Sequence, residues 1–172
     1  MQSPANEKHW YAVYVKSRTE KKVLLELVYQ NIDAYLPLQK RLRKWSDRKK
    51  LVDFPLIPGY IFVYITRKDY DRVLKVPGVV TYVRFEGTAA VIPDEQIEII
   101  KRLLNQHEHK IEVSFKDFKT GDEIEIIAGP LMGVKGVLTQ LKGRNKVAVQ
   151  LEKLQIALTL EVPINEIKKT NI

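Results

Sequence analysis

The chain has 172 residues, of which 45% are hydrophobic and 29% charged, and it contains no cysteine. This length and apolar content suit one or two domains with a genuine core, and the lack of cysteine excludes disulfides and thiolate metal sites. Because no apolar run reaches about 18 residues and the N-terminus lacks a signal-peptide pattern, we expect a cytoplasmic protein without a membrane partner. The formal net charge of +8, concentrated in residues 1–107, favours a polyanionic partner over a merely soluble basic surface.

The first half of the chain predicts strands alternating with helices. Residues 9–15 are rich in aromatic and β-branched side chains and predict a strand. The Ser17 to Glu20 spacing of a capping box and an apolar stripe then predict a helix over 18–30. Residues 32–38 are expected to be extended, and an apolar strand is expected over 58–65.

The elements that follow complete the first domain. Residues 69–75 predict a short helix, 79–85 and 88–92 predict strands, and the Pro93-Asp94-Glu95 start predicts another helix. This order predicts an α+β sandwich with an antiparallel or mixed sheet.

A basic segment, residues 39–50, separates two of these strands and predicts a protruding hairpin or loop. Lysine and arginine neutralise phosphates, and Trp45 in its middle could stack on an unpaired base. The alternative is a charged hairpin whose Trp45 packs on its own strands. A second basic cluster lies at the first strand–helix junction, where a solvated helix face is the alternative. The candidate nucleic-acid residues are Arg43, Lys44, Arg48 and Lys49 in the hairpin and Lys16, Arg18, Lys21 and Lys22 at the junction.

Two strands carry alternating aromatic residues. Tyr60, Phe62 and Tyr64 share one strand face, and Trp10 and Tyr14 alternate along the first strand in the same way. If these strands are neighbours, one sheet face is an aromatic surface, which is either core or a protein interface. The residues alone leave both alternatives open, and Tyr64 is left open as well.

After residue 107 the sequence changes character. Residues 108–117 lack clear periodicity and are expected to be a linker, while glycines punctuate short β-rich runs over 118–172. Regularly spaced short strands with glycine turns predict a small β-barrel. The Gly129–Gly133 loop either only makes the turn or presents Leu131 and Met132 outward as an adaptable apolar contact.

Catalysis has little support in the sequence. His107-Glu108-His109 could suggest a metal site, but a solvated linker explains it better, and no phosphate-binding loop or nucleophile elbow occurs. We therefore expect a protein that is not an enzyme and uses no metal or cofactor.

Residues 121–137 resemble a KOW motif, and the first domain resembles the NGN domain of NusG-type transcription elongation factors. The NGN resemblance rests on residues 10–15, 57–63 and 76–79. It implies an NGN domain over 8–107, an α/β sandwich, and an SH3-like KOW barrel over 118–172. Residues 36–50 look most like the UpxY-type paralogues, which act as antiterminators on capsular-polysaccharide operons and are related to RfaH and LoaP.

The resemblance implies binding to the clamp helices of the RNA polymerase largest subunit and restraint of pausing. By position, Tyr14, Pro58, Tyr60 and Phe62 would line the apolar pocket for these helices, and Ile100 and Leu103 would complete it. Tyr60 and Phe62 would then face this partner rather than the chain's own interior. Lys16 and Lys22 would lie near the non-template strand or upstream DNA. The KOW loop of family members recruits a ribosomal protein, Rho or RNA, although Leu131 here replaces a usually aromatic residue. The alternatives are a general housekeeping NusG-like factor and a KOW protein that binds RNA or the ribosome without polymerase.

In RfaH the last domain refolds into a helical hairpin that masks this pocket. We do not expect that state here, because Pro130 and several glycines interrupt the segment that would have to become helical.

Overall fold

The structure is a computed structural model that describes residues 6–106, 110–114, 121–141 and 144–170. Its internal contacts divide the chain into two compact units, Met1–Ile97 and Glu98–Ile172. None of the helices in these described ranges is long and apolar enough to cross a membrane.

The first unit contains nine strands and two helices among its described residues, with a third helix that crosses the point of division. The helices are α1 (Glu20–Tyr29), α2 (Tyr70–Leu74) and α3 (Asp94–Leu104), and a 3-10 turn (Arg67–Asp69) precedes α2. The strands are β1 (His9–Val15), β2 (Asp33–Tyr35), β3 (Leu38–Lys44), β4 (Lys49–Pro55), β5 (Tyr60–Ile65), β6 (Val79–Tyr82), β7 (Arg84–Phe85), β8 (Thr88–Ala89) and β9 (Val91–Ile92).

The central sheet of this unit is antiparallel. Its order is β2-β5-β1-β6, with β9 also paired to β1. β1 and β5 are neighbours, and their register places Tyr14 opposite Tyr60 and Trp10 opposite Tyr64. The two aromatic strands are therefore neighbours, which is the condition for an aromatic surface on one sheet face.

One face of the sheet packs on α1 and α2. Val13, Ile61 and Val63 are fully buried on this face, and α1 contributes Val23 and Leu27. Each such side chain contributes about 1.5–3 kcal/mol when fully buried. The aliphatic face of β5 therefore lies in the core.

Two details of α1 differ from the predicted pattern. Val28, which shares the helical spacing of the apolar residues of α1, is 57% exposed. The capping box predicted at Ser17 and Glu20 does not form, because the helix begins after Thr19 and the Glu20 carboxylate bonds elsewhere. Periodicity predicts the helix, but it does not show that Val28 is exposed or that Glu20 bonds to a residue outside the helix.

The basic segment forms a two-stranded hairpin of β3 and β4. The pairing runs without interruption from Leu38 opposite Pro55 to Lys44 opposite Lys49. The hairpin predicted over residues 39–50 is thus present and extends beyond those bounds.

The second unit is all-β apart from two 3-10 turns (Glu152–Leu154 and Ile164–Glu166) and the end of α3, within the ranges described. Its sheet has the order β10-β14-β13-β12-β11-β15. These strands are β10 (Glu112–Ser114), β11 (Asp122–Ile126), β12 (Lys135–Leu141), β13 (Arg144–Leu151), β14 (Ile156–Glu161) and β15 (Ile167–Lys169). The predicted α+β architecture with a separate all-β part is confirmed, and the described C-terminal residues are strands rather than a helical hairpin.

The segment expected to be a linker contains a strand. Glu112–Ser114 pairs with β14. The carboxylate of Glu112, the first residue of this strand, accepts a hydrogen bond from the buried Lys146 ammonium at 2.9 Å. Three residues are too few to show a period of two, so this strand could not be predicted from alternation. Residues 115–117 of the predicted linker, and also His107, Glu108 and His109, lie outside the described residues.

Candidate functional site

The turn before β5 is held by two hydrogen bonds of the Gly59 backbone. Its N–H donates to Glu20 Oε1 at 3.0 Å, and its carbonyl accepts from the Val15 N–H at 2.9 Å. Gly59 has φ of 82°, a conformation that glycine adopts without strain. Since Glu20 is only 5% exposed, its carboxylate ties α1 to this turn. The turn is therefore a positioned feature and not a flexible loop.

Tyr14 and Tyr60 form a pair directly beside the turn. The Tyr60 hydroxyl donates to the Tyr14 oxygen at 3.0 Å, and the ring centroids are 4.7 Å apart. Burial, together with the Tyr14 hydrogen bond, raises the pKa of Tyr60 above its ordinary value, so this phenol stays neutral. Tyr14 is 38% exposed, and Pro58 is exposed as well. These two residues form the accessible part of the site.

The expectation that Tyr60 and Phe62 face a partner is wrong for this structure. Tyr60 is 5% exposed and Phe62 is fully buried within the chain. Ile100 and Leu103 are also fully buried. Alternation places side chains on a face but does not say what covers that face, so the sequence could not decide between core and interface. Tyr64, which was left open, is half-buried and lies 5.0 Å from the Trp10 ring centroid.

The hairpin tip is a second candidate site, exposed and basic. Every residue from Lys40 to Leu51 is exposed. Two guanidinium groups lie near the Trp45 ring, with Arg43 at 5.2 Å and Arg48 at 5.9 Å from its centroid. The tip is closed by the Trp45 N–H bond to the Arg48 carbonyl at 2.7 Å. Trp45 thus contacts its own hairpin while remaining 41% exposed.

Like charges face each other across the two hairpin strands. Arg43 is opposite Lys50 and Lys44 is opposite Lys49. Like charges that face each other across two strands destabilise the protein when no ligand is bound. A polyanion bound along the hairpin would remove this repulsion. The electrostatics of the hairpin therefore favour phosphate as a ligand.

The second basic cluster is only partly joined to the hairpin. Lys16, Arg18, Lys21 and Lys22 are all exposed. Lys21 Nζ donates to the Asp53 carbonyl at 2.8 Å, which links α1 to the end of β4. The structure therefore brings Lys21 to the hairpin base, and the other three lie at the β1–α1 junction, where the sequence placed them.

The loop of the second unit presents one of its two predicted contact residues. Met132 is 62% exposed, but Leu131 is 6% exposed, so the expectation of an outward Leu131 is wrong. The turn bonds Met132 N–H to the Gly129 carbonyl and Val134 N–H to the Leu131 carbonyl, which directs Leu131 inward. Ile127 and Ile164 are 46% and 59% exposed in the same unit and were not predicted.

Metal binding finds no support in the residues that the structure describes, where no cluster of three or more histidine, aspartate or glutamate residues could hold an ion.

The comparison with protein families identifies this architecture. Residues 8–101 match the NusG family model, described as transcription termination factor nusG. This match covers more than half of the chain, and the chain belongs to the NusG family of transcription termination/antitermination factors.

Similar proteins agree over almost the full length. The chain is 24% identical to the transcription termination/antitermination protein NusG of Rickettsia prowazekii, over 98% of this chain and 94% of that protein. It is 26% identical to the protein of the same name in Streptococcus pyogenes serotype M1, over 94% and 96% respectively. A solved structure of Thermotoga maritima NusG superposes with a TM-score of 0.60, at 24% identity, covering 96% of this chain and 98% of that one. This likeness supports the fold.

Proposed function

We propose that this protein is an antitermination and elongation factor that binds the clamp helices of RNA polymerase through its first unit. The observation that carries the proposal is the family match over residues 8–101, which contains the turn held by Glu20 and Gly59. Tyr14 and Pro58 are the accessible apolar residues at that turn. An anchored turn loses little conformational entropy when a partner binds.

The buried residues of the predicted pocket have a different proposed role. Tyr60 and Phe62 would shape the contact surface from beneath, since the Tyr60 hydroxyl fixes the Tyr14 ring. Ile100 and Leu103 would join the contact only if polymerase binding exposes them.

The basic residues supply the proposed nucleic-acid contact. We propose that the hairpin, with Lys21 at its base and Lys16, Arg18 and Lys22 at the junction, follows the non-template strand or upstream DNA. Trp45 is partly exposed and flanked by Arg43 and Arg48, an arrangement suited to stacking on an unpaired base. The mechanism is binding and restraint: holding the clamp closed disfavours pausing and termination, and no covalent step is involved.

The target operons follow from the resemblance of residues 36–50 to UpxY-type paralogues. We propose action on specific long operons, such as capsular-polysaccharide loci. The second candidate is a general NusG-like factor that couples polymerase to Rho or the ribosome through the second unit. The exposed Met132 and Ile164 favour some apolar contact there, and the full-length similarity to NusG relatives suits this role.

Polymerase binding is tested with purified core enzyme and the double variant Tyr14→Ala/Pro58→Ala. We expect about tenfold weaker binding, as for truncation of interface anchors. Val80→Ala is the matched control, because Val80 is 58% exposed on the same sheet. Equal affinity of the double variant and the wild type would contradict the proposed contact.

Function is tested by in vitro transcription through a terminator with and without the protein. Greater read-through on the long-operon template than on an unrelated template supports the specialised role. Equal read-through on both templates favours the general factor, and unchanged read-through on every template would contradict antitermination.

A further inference from the structure

The outward face of α1 carries an apolar surface that neither proposed site uses. Leu25, Val28 and Tyr29 are 70%, 57% and 82% exposed. Their spacing places them side by side on the helix. We propose that this surface, the α1 stripe, docks an acidic amphipathic helix of another protein.

The stripe is not needed to hold α1 on its own sheet. Val23 and Leu27 are buried on the inner face, so the helix is apolar on two sides. An ordinary surface helix has a polar outer face. Contiguous exposed apolar surface of this kind marks an interaction site more often than scattered single residues do.

A cavity extends the stripe at the C-terminal end of α1. It has a volume of about 430 Å³ and is lined by apolar and aromatic residues on most sides, with two polar residues at its rim: Trp10, Val28, Ile32, Ala34 and Tyr64, and Asn31 and Asp33. Val28 belongs to both the stripe and the cavity wall, so the two are continuous. A helix lying along Leu25 and Tyr29 could insert one bulky side chain between these walls, as anchors do in helix-in-groove recognition.

The charges around the stripe select the partner. Lys21 and Lys22 are exposed on the same outer face at its N-terminal end. At the cavity end, Lys8 is paired with Asp33 at 2.6 Å, so that rim is close to neutral. The surface therefore has one cationic end and one neutral apolar end, which is complementary to a helix with acidic residues at one end.

Two other occupants fit less well. A second copy of the chain would bring together two identical lysine-bearing faces of a protein with net charge +8, and like charges oppose such association. Nucleic acid would gain from the lysines and could stack a base on Tyr29, but Leu25 and Val28 would be left in contact with water, because neither offers a ring for stacking.

The test uses a synthetic helical peptide of about five turns, roughly 18 residues. One face carries leucines and a phenylalanine, and glutamates flank that face at one end of the peptide, where they can reach Lys21 and Lys22. The control peptide replaces every glutamate with lysine. Because Trp10 lines the cavity, its fluorescence reports binding, and the Trp45→Phe background removes the signal of the chain's other tryptophan.

We expect the acidic peptide to shift the Trp10 emission and to bind about tenfold or more tightly than the lysine peptide. The variant Leu25→Ser/Tyr29→Ser should weaken this binding by about tenfold or more. Val80→Ser, at a similarly exposed apolar residue away from α1, is the control and should bind like the wild type. The two-peptide comparison on the unsubstituted surface does not depend on any variant folding.

Four outcomes would overturn the proposal. These are equal binding of the two peptides, no binding of the acidic peptide, binding that Leu25→Ser/Tyr29→Ser leaves unchanged, and a different occupant. Concentration-dependent dimerisation in sedimentation that this variant abolishes would identify a second copy. Loss of single-stranded DNA binding in the same variant would identify nucleic acid. None of these readouts depends on polymerase, so the result is separate from that of the proposed function.

Discussion

Strand β5 and the β3–β4 hairpin differ in what stabilises them, although both are antiparallel strands in the same unit. In β5, five of six residues are buried, and side-chain burial supplies the stability. In the hairpin, the described residues from Lys40 to Leu51 are exposed, and the strands are held by main-chain pairing and the Trp45 contacts. The first element fixes a scaffold, while the second keeps its side chains available for a ligand.

Because of this difference, the same type of residue has different consequences in the two elements when it is substituted. The aromatic side chains of β5 pack within the fold, so their substitution should change stability before it changes binding. A basic or aromatic residue in the hairpin has little to do with the fold, so its substitution should change binding first. The predictions below test that separation.

The largest effect is expected for Phe62→Ala. Phe62 is fully buried, so the truncation should lower the free energy of unfolding by about 3–5 kcal/mol, through lost burial and a residual cavity. Trp45→Ala should lower it by less than about 1 kcal/mol, because Trp45 is 41% exposed and has only exposed cation–π contacts. Urea unfolding followed by circular dichroism measures both. Equal losses in the two variants would contradict the distinction between a buried scaffold strand and an exposed hairpin.

The second prediction concerns Glu20, which joins the scaffold to the turn. Glu20→Ala should cost about 1–3 kcal/mol, because it leaves the Gly59 N–H without its acceptor in a part-buried place. Glu20→Gln keeps an acceptor oxygen and should lose less stability. Polymerase affinity measured on both variants should follow the same order. A Gln variant as damaged as the Ala variant would contradict the positioning role.

Sequence patterns were sufficient for the elements but not for what covers them. β1, β5 and α1 were predictable because long apolar repeats fix the period. The burial of Tyr60 was not predictable, because alternation is the same for a core face and an interface. Leu131 was misassigned because the inward direction depends on a turn closed by Gly129 and Val134 backbone bonds.

The same limit explains what the sequence missed at the candidate sites. Glu20 matched a capping box by spacing, yet its carboxylate bonds to Gly59, 39 positions further along the chain. Exposure of Leu25 and Tyr29 depends on which helix face meets the sheet. The basic hairpin was predictable because charge clustering and Trp45 need no tertiary information.

The third prediction concerns hairpin charge. Arg43→Gln/Lys49→Gln should reduce the salt dependence of single-stranded DNA binding by a slope of about 1.4, if each residue contacts one phosphate. Stability should be unchanged or a few tenths of a kcal/mol higher, because each residue faces another cation across the hairpin. Lys75→Gln/Arg84→Gln removes the same charge at exposed sites in the same unit and is the control. Identical slopes in the two double variants would place the DNA contact elsewhere.

The smallest effect is expected at the start of α2, within the scaffold. Asp69 Oδ1 accepts from Arg72 Nη1 at 2.7 Å, and Thr66 Oγ1 donates to Asp69 Oδ2 at 3.0 Å. The Arg72 and Thr66 hydrogen bonds hold the pKa of Asp69 below its usual range. A carboxyl whose folded pKa is lowered stabilises the fold above its unfolded pKa of about 3.9, and this contribution is lost as the pH falls through the folded value.

Asp69→Asn should therefore lower stability by less than about 1 kcal/mol at neutral pH, since Arg72 is half-exposed and the pair is screened. The difference from the wild type should shrink as the pH is lowered from about 4 towards 2. Asp71→Asn, at an exposed carboxylate on the same helix, is the control. Urea unfolding across this pH range measures the difference, and a gap between wild type and Asp69→Asn that stays constant with pH would show that the carboxylate charge contributes nothing.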